Sequence, residues 1–327
     1  MDSFNLIELT DRFLERDRSV TEERLPHMYP SEARCVCERT GKVLGNCLRS
    51  SFYRLTGVDH SNPPNARFHY IFMLGQLVEQ FLVDRWKEMG IWLDGNVPFW
   101  DMEHGYIVSG KIDCFIRNWT NRSQIIGVEV KSFYGYHATR EIIGTTSEAG
   151  RPKMDQLLQT LYYAERYRHR GIPGFKMAYL ARDSVERREF NVVPTVTSVG
   201  GEVQRVRPAV DGQVYSNVSV EGIRNSYRLL DQAVREDTLP CRDYKKVYSS
   251  DEVEAKYRSG DISKTNYDKW RRNRRANPLG DWQCRYCWYE NHCYRRNAGD
   301  GVEIVLRETD EVHEEQMPEV RTEEDTT

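Results

Sequence analysis

In the segment Gly110–Lys131, GKIDCFIRNWTNRSQIIGVEVK, two apolar runs flank a polar turn around Asn121–Ser123, the pattern of neighbouring strands with a short connection. Strand side chains alternate faces with a period of two. Glu129 and Lys131 therefore share one face, and Val128 and Val130 the other. By the same rule Lys111 and Asp113 point one way, with Ile112 and Cys114 opposite. Two acids and a lysine on one side of a hydrophobic sheet are costly to desolvate unless a divalent cation offsets their charge. The cluster implies metal-dependent phosphodiester chemistry.

The surroundings suit such a site. A chain of 327 residues holds one large domain or two ordinary ones, and 39% hydrophobic with 30% charged residues is a soluble, globular composition. No apolar run approaches the roughly 20 residues that span a bilayer, so no membrane partner is expected. The opening MDSFNLIELTDRFLERD is acidic and amphipathic, unlike a secretory leader, which predicts a cytoplasmic protein. In a reducing compartment eight cysteines read as metal ligands or buried thiols rather than disulfides. The net charge of −3 is uneven: residues 308–327 hold nine Asp/Glu and one Arg, leaving the other residues at +5. A basic body with an acidic, disordered tail suits a nucleic-acid binder.

Outward from the central segment, residues 91–131 read as three strands, the first pair turning at Glu103–Gly105. Upstream, helical spacing covers 4–18 and about 64–90, the latter with a broad apolar face from Phe68 through Phe72, Leu74, Leu77, Val78, Phe81 and Leu82 to Trp86. Glu79 lies at the edge of that face, as a surface residue or as a third acid for the strand pair. Downstream, 134–151 has no period and reads as a long functional loop, whose Tyr134, Tyr136 and His137 could stack on bases or pack the loop down. Pro152 opens a helix on which Gln159 and Tyr163 share a face. Two more strands fill 175–194, a Val/Thr/Gly-rich connection 195–213, a helix 219–236 and a very polar segment 237–280. The basic run Trp270–Arg275 within it reads as a phosphate contact, a solvated helix face or a localisation signal.

DWQCRYCWYENHC supplies Cys284-x2-Cys287-x5-Cys293, three thiols that need a fourth for a four-thiolate site of zinc or iron–sulfur type. Cys47, Cys35 and Cys37 are the upstream candidates. Cys114 is expected in the core, and Cys241 has no evident partner. These readings divide the chain into 1–95 (helical, with the first thiol and Glu79), 96–236 (core), 237–300 (basic and cysteine-rich) and 301–327 (acidic tail).

In order, Gly75-x3-Glu79, Gly110-x2-Asp113, Glu129-Val130-Lys131, Gln159-x3-Tyr163 and the terminal cysteines resemble the RecB-type branch of the PD-(D/E)XK nuclease superfamily, over roughly residues 40–295. Within it the chain looks like the iron–sulfur exonucleases related to the CRISPR-adaptation nucleases, including phage-encoded forms. The resemblance implies an α/β fold with a mixed central sheet flanked by helices. It also implies helical N- and C-terminal segments joined by the four-cysteine site, with Cys47 in the context CLRSSFY as the fourth ligand. That site would hold a structural 4Fe–4S cluster, with zinc as the alternative, shielded by Trp282 and Trp288. Mg²⁺ or Mn²⁺ would be held by Asp113, Glu129, Glu79 and the Val130 carbonyl, although the family commonly has histidine at the position of Glu79. Lys131 would act on the phosphate, and Gln159 and Tyr163 would orient Lys131 or the DNA backbone. The implied activity is exonucleolytic hydrolysis of single-stranded DNA or duplex ends. The alternatives are a recombination or adaptation factor that cuts only with a partner protein, and a structure-specific endonuclease; an oligomer is compatible with all three.

Overall fold

In the computed structural model, the residues described are 5–16, 26–63, 65–103, 105–199, 203–295 and 299–306. A seven-stranded mixed sheet runs in the order β3 (Trp92–Glu103), β4 (Tyr106–Arg117), β5 (Ile125–Phe133), β6 (Phe175–Ala181), β7 (Arg187–Val199), β8 (Val203–Val210), β9 (Gln213–Val214). Every neighbouring pair is antiparallel except β5 and β6. A parallel pair cannot be closed by a hairpin, and the crossover is made by α4 (Tyr136–Ile143) and α5 (Met154–Arg168).

Helices cover both faces. On one, Leu158, Leu161 and Tyr162 of α5 meet Ile112 and Phe115 of β4, together with Ile223, Tyr227 and Leu230 of α6 (Val220–Arg235) and Leu48 and Phe52 of α2 (Leu48–Leu55). On the other, Val78, Leu82 and Trp86 of α3 (Ala66–Glu88) pack on Ile91, Cys114, Ile116, Ile126, Val128 and Val130. The molecule is thus a mixed α/β layer structure, and the expected hairpin at Glu103–Gly105 and turn at Asn121–Ser123 are both present.

Several expectations change. Phe72, Leu74, Leu77 and Phe81 do not join the buried side of α3 but stand exposed, as do Leu6, Ile7, Leu9 and Phe13 of α1 (Leu6–Arg16). The loop expected over 134–151 contains α4. Gly135 and Gly144, at φ 87° and 92°, bracket an eight-residue helix too short to display a period. The connection expected over 195–213 is mostly strand, because β7 runs on to Val199 and pairs with β8 through Val192↔Val210 to Val199↔Val203. Its β-branched residues form a strand extension with a partly exposed face, so no apolar alternation announces it. The polar stretch 237–280 carries α7 (Ser250–Arg258) and α8 (Lys264–Arg272). The tail 308–327 lies outside the described residues.

The segments before α3 and after α6 are fastened together by a buried ion pair. Asp243, in the connection after α6, takes a bidentate contact from Arg34 of β1 (Arg34–Val36) at 3.0 and 2.6 Å, and its Oδ2 also accepts the Leu48 amide of α2 at 2.6 Å. A charge-assisted pair at so enclosed a place contributes little over an apolar isostere, but breaking it strands the surviving charge. Asp243→Ala should therefore lower stability by about 3–5 kcal/mol, read as the midpoint of urea unfolding. A loss below ~1 kcal/mol, the range of an exposed pair, would show that Asp243 does not fasten the two segments.

Candidate functional site

The site lies where β4 and β5 part. Their register runs from Arg117↔Ile125 to Cys114↔Val128 and stops there. One step on, the Val130 amide donates to the carboxylate of Asp113 at 2.7 Å. A side chain replaces the strand partner that Val130 has lost. Because N–H and C=O of one strand residue project to the same side, the Val130 carbonyl faces the same gap.

The parting also resets the faces of β4. Ile112 packs with Val108 and Phe115 beneath α5, whereas Cys114 packs with Ile116, Val128 and Val130 beneath α3. Simple alternation had placed Ile112 and Cys114 together, and it fails at Asp113. On β5 it holds: Ile126, Val128 and Val130 face α3, while Glu129 and Lys131 turn the other way.

Glu129 is fully buried. Its Oε2 accepts the Lys131 ammonium at 3.0 Å, and its Oε1 has no hydrogen-bond partner among the described residues. A buried carboxylate oxygen left unpaired is expensive. Burial, and then the charge of Asp113, push the Glu129 carboxyl above the usual range, against the pull of Lys131. Asp113 is raised by burial, opposed by Lys131 and by the Val130 amide. Glu79 arrives from α3 into the same field, pushed up to about 7 by burial and then by Asp113. Burial disfavours the Lys131 cation, but Glu129 and Asp113 together override it and hold its pKa above that of a free lysine. The four groups expected from the sequence thus share one electrostatic site.

Tyr163 stands within the field of the acids, since burial and then Glu129 and Asp113 raise its hydroxyl. The Gln159 side chain hydrogen-bonds to the Tyr163 hydroxyl, which donates to the backbone carbonyl of Lys111 at 3.2 Å. The approach is close enough that a Cβ on Gly110 would lie 2.5 Å from that hydroxyl oxygen. These residues position the backbone that leads into Asp113, whereas the Lys131 ammonium is bonded to Glu129. Asp155, in the first turn of α5, adds a negative charge beside Lys131. Sequence reading missed it, although it lies four residues before Gln159 and so shares its helix face.

The cysteines converge at a second place. Cys47, the residue preceding α2, lines one cavity with Cys284, Cys287 and Cys293. Burial pushes the Cys47 thiol up to about 12 and that of Cys284 to about 11, with the other thiols adding to both. Fully buried Arg49 points Nη1 at the Cys293 Sγ from 3.8 Å and donates to the carbonyls of Pro240 and Gly299 at 2.7 and 3.3 Å. Cys35 lies apart, buried in β1 beside Ser219 and Glu38, and Cys37 is next to Thr40, so neither joins the group. Cys114 is core as expected. Trp282 is exposed, so it does not cover the cysteines, while Trp288 packs on His60 with ring centroids 4.6 Å apart. Among the described residues no three His, Cys, Asp or Glu side chains already form a ligand group around one point. No described helix is long and apolar enough to cross a membrane.

No protein-family model matches the chain, and no curated protein is similar to it. Among solved structures, the crystal structure of SSO0001 is similar over 89% of this chain and 97% of that one, at 13% identity and a TM-score of 0.42. That likeness is too distant to carry an argument.

Proposed function

We propose that this chain is a metal-dependent deoxyribonuclease with a PD-(D/E)XK-type core, hydrolysing phosphodiester bonds of single-stranded DNA or duplex ends. The observation that carries the reading is the buried, unpartnered Oε1 of Glu129 beside two further acids whose pKa values are raised. Hard oxygen donors of this kind suit Mg²⁺ or Mn²⁺. Glu129, Asp113, Glu79 and the Val130 carbonyl would hold the ion, which when bound lowers the pKa of a water and offsets charge on the phosphate. Asp113 keeps Oδ2 on the Val130 amide, leaving Oδ1 for this task. Lys131, charged throughout the working pH range and fixed by Glu129, stabilises negative charge that builds on the phosphate oxygens. Tyr163 and Gln159 act as positioning residues, fixing the backbone before Asp113.

The all-sulfur donor set of Cys47, Cys284, Cys287 and Cys293 suits a thiophilic group, a 4Fe–4S cluster with zinc as the alternative. Thiols raised this far by burial stay protonated unless a metal replaces the proton. The cluster would join α2 to the C-terminal segment, with Arg49 offsetting thiolate charge.

Degradation of end-labelled single-stranded DNA with Mg²⁺ or Mn²⁺ should fall by at least ~10²-fold in Lys131→Ala, the loss typical of removing one transition-state charge contact. Equal rates for variant and wild type would mean the site is wrongly assigned. The raised acids also set a stability profile. A carboxyl whose folded pKa lies above its unfolded value stabilises fully below the unfolded pKa and loses that contribution as pH rises through the folded one. For Glu79 that window runs from the free value of 4.5 to about 7, with Glu129 acting in the same direction. In chelator the melting temperature should therefore drop between pH 5 and 8, and Mg²⁺ should restore more at pH 8 than at pH 5. Glu129→Gln should flatten both responses, and a wild-type profile already flat would count against the cation site. Anaerobically prepared protein should carry roughly four irons per chain and a broad visible absorption, both lost in Cys47→Ala. One zinc and no iron would select the alternative.

A further inference from the structure

The polar segment between α6 and the cysteines folds as a helical hairpin with a core of its own. Val253, Tyr267 and Trp270 are buried among Tyr248, Tyr257, Ile262 and Leu279. The rings of Tyr257 and Tyr267 lie flat on each other at 3.9 Å. A capping box of Ser249 with Glu252 starts α7, and Ser263 caps α8. The stem is closed by the Tyr248 amide on the Leu279 carbonyl at 2.7 Å and by the Lys245 amide on Asp281 at 2.7 Å. Beyond that stem the chain enters the cysteine segment, whose Tyr286 meets Phe68 of α3 edge-on at 5.9 Å. The hairpin is therefore built into the same frame as the helix carrying Glu79.

Lys269, Arg271, Arg272, Arg274 and Arg275, at the end of α8 and just after it, are all exposed. Among the described residues none of the five pairs with a carboxylate, whereas Arg34, Arg54, Arg166 and Arg207 do. Two of the guanidinium groups are steadied instead by rings: Arg274 lies 4.5 Å over Trp270 and Arg271 5.9 Å over Tyr267. Arg274 also donates to Ser250 at 3.1 Å. Concentrated, unpaired positive charge on a self-supporting element matches a polyanion. Between Tyr248 and Leu279 no large apolar side chain is exposed among the described residues. A surface that inserts into a bilayer needs such side chains, so the geometry favours a phosphate backbone over a lipid surface.

We propose that the α7–α8 hairpin grips the phosphate backbone of the nucleic-acid strand, with Lys269, Arg271, Arg272 and Arg275 as its contacts. The identity of the polyanion rests on the nuclease reading above; the charge pattern does not. Binding of a fluorescent single-stranded oligonucleotide, measured in the Lys131→Ala background over a salt series, tests it. Arg271→Gln/Arg272→Gln/Arg275→Gln should weaken binding on the order of 100-fold at 0.1 M salt and make the log–log salt slope shallower by about 2. Arg275→Gln alone should give about a third of that change in slope. Arg12→Gln, an exposed cation paired with Glu8 on α1, should leave affinity and slope unchanged. The triple variant should melt like its parent. Unchanged affinity and slope in a folded triple variant overturn the proposal. So does a loss confined to phosphatidylserine vesicles with oligonucleotide binding intact. The two readings fail separately: hairpin-dependent binding without hydrolysis under any divalent cation removes the nuclease reading alone, and hydrolysis with hairpin-independent binding removes this one alone.

Discussion

The contact between the Asp113 carboxylate and the Val130 amide is the constraint on which the site depends. Had β4 and β5 continued their ladder, the Val130 amide would face backbone and no gap would open in the sheet. A buried amide without a partner is rarely tolerated, so the strands can part only because Asp113 accepts that donor. The substitution of a side chain for a strand opens room inside the core for Glu129, and it fixes one oxygen of Asp113 while leaving the other uncommitted. Tyr163 secures the approach by holding the Lys111 carbonyl two residues earlier. A single hydrogen bond is therefore both sheet closure and site geometry.

Around this gap the fold stacks its most rigid parts. α5 packs on one face of the sheet with Leu157, Leu158, Leu161, Tyr162 and Tyr163 all fully or almost fully buried, and α3 closes the reverse face through Val78, Leu82 and Trp86. The segment before α3 is then tied to the segment after α6 by buried cations, Arg34 on Asp243 and Arg49 on the carbonyls of Pro240 and Gly299. Arg49 also lines the cavity that Cys47 shares with the C-terminal thiols. The well over two hundred residues between Cys47 and Cys293 are spanned here by these contacts.

Legibility in the sequence followed the physics of each element. β4, β5 and α5 carry clear periodicity because each buries a face in the core, and Asp113 and Glu129 stand out there by desolvation cost, whereas α3, with most of its large apolar residues exposed, left Glu79 readable as a surface residue or as a third acid. α4 was invisible because eight residues between two glycines give barely two turns. β8 and the far half of β7 were invisible because Thr, Arg and Val alternate there without an apolar face. Asp113 itself sits where alternation breaks, so the neighbours Ile112 and Cys114 were assigned to one face when they occupy two. Asp155 was missed for another reason: a carboxylate in the first helical turn is ordinary on dipole grounds, and only the folded chain brings it beside Lys131. Cys47 was separable from Cys35 and Cys37 only by resemblance, and the cavity now groups it with the C-terminal three.

The charge balance of the site has a consequence for how a phosphodiester could reach it. Glu79, Asp113, Glu129 and Asp155 face a single lysine, so once ionised the site is net negative and repels a nucleic acid at the distances where Coulomb forces act in a poorly solvated pocket. Proton uptake by Glu79 and Glu129 relieves that repulsion but also removes the donors a cation needs. On the nuclease reading, a divalent ion resolves the conflict locally by keeping the carboxylates charged while cancelling their field. It cannot supply attraction over the wider surface, where screening confines each charge to about 10 Å or less. The cations Lys269, Arg271, Arg272, Arg274 and Arg275 belong to a separate element, the α7–α8 hairpin and the turn after it, and none of them pairs with a carboxylate among the described residues. On the nuclease reading, attraction and chemistry would be carried by different parts of the chain, the acids remaining available for the cation while the strand is held by its backbone.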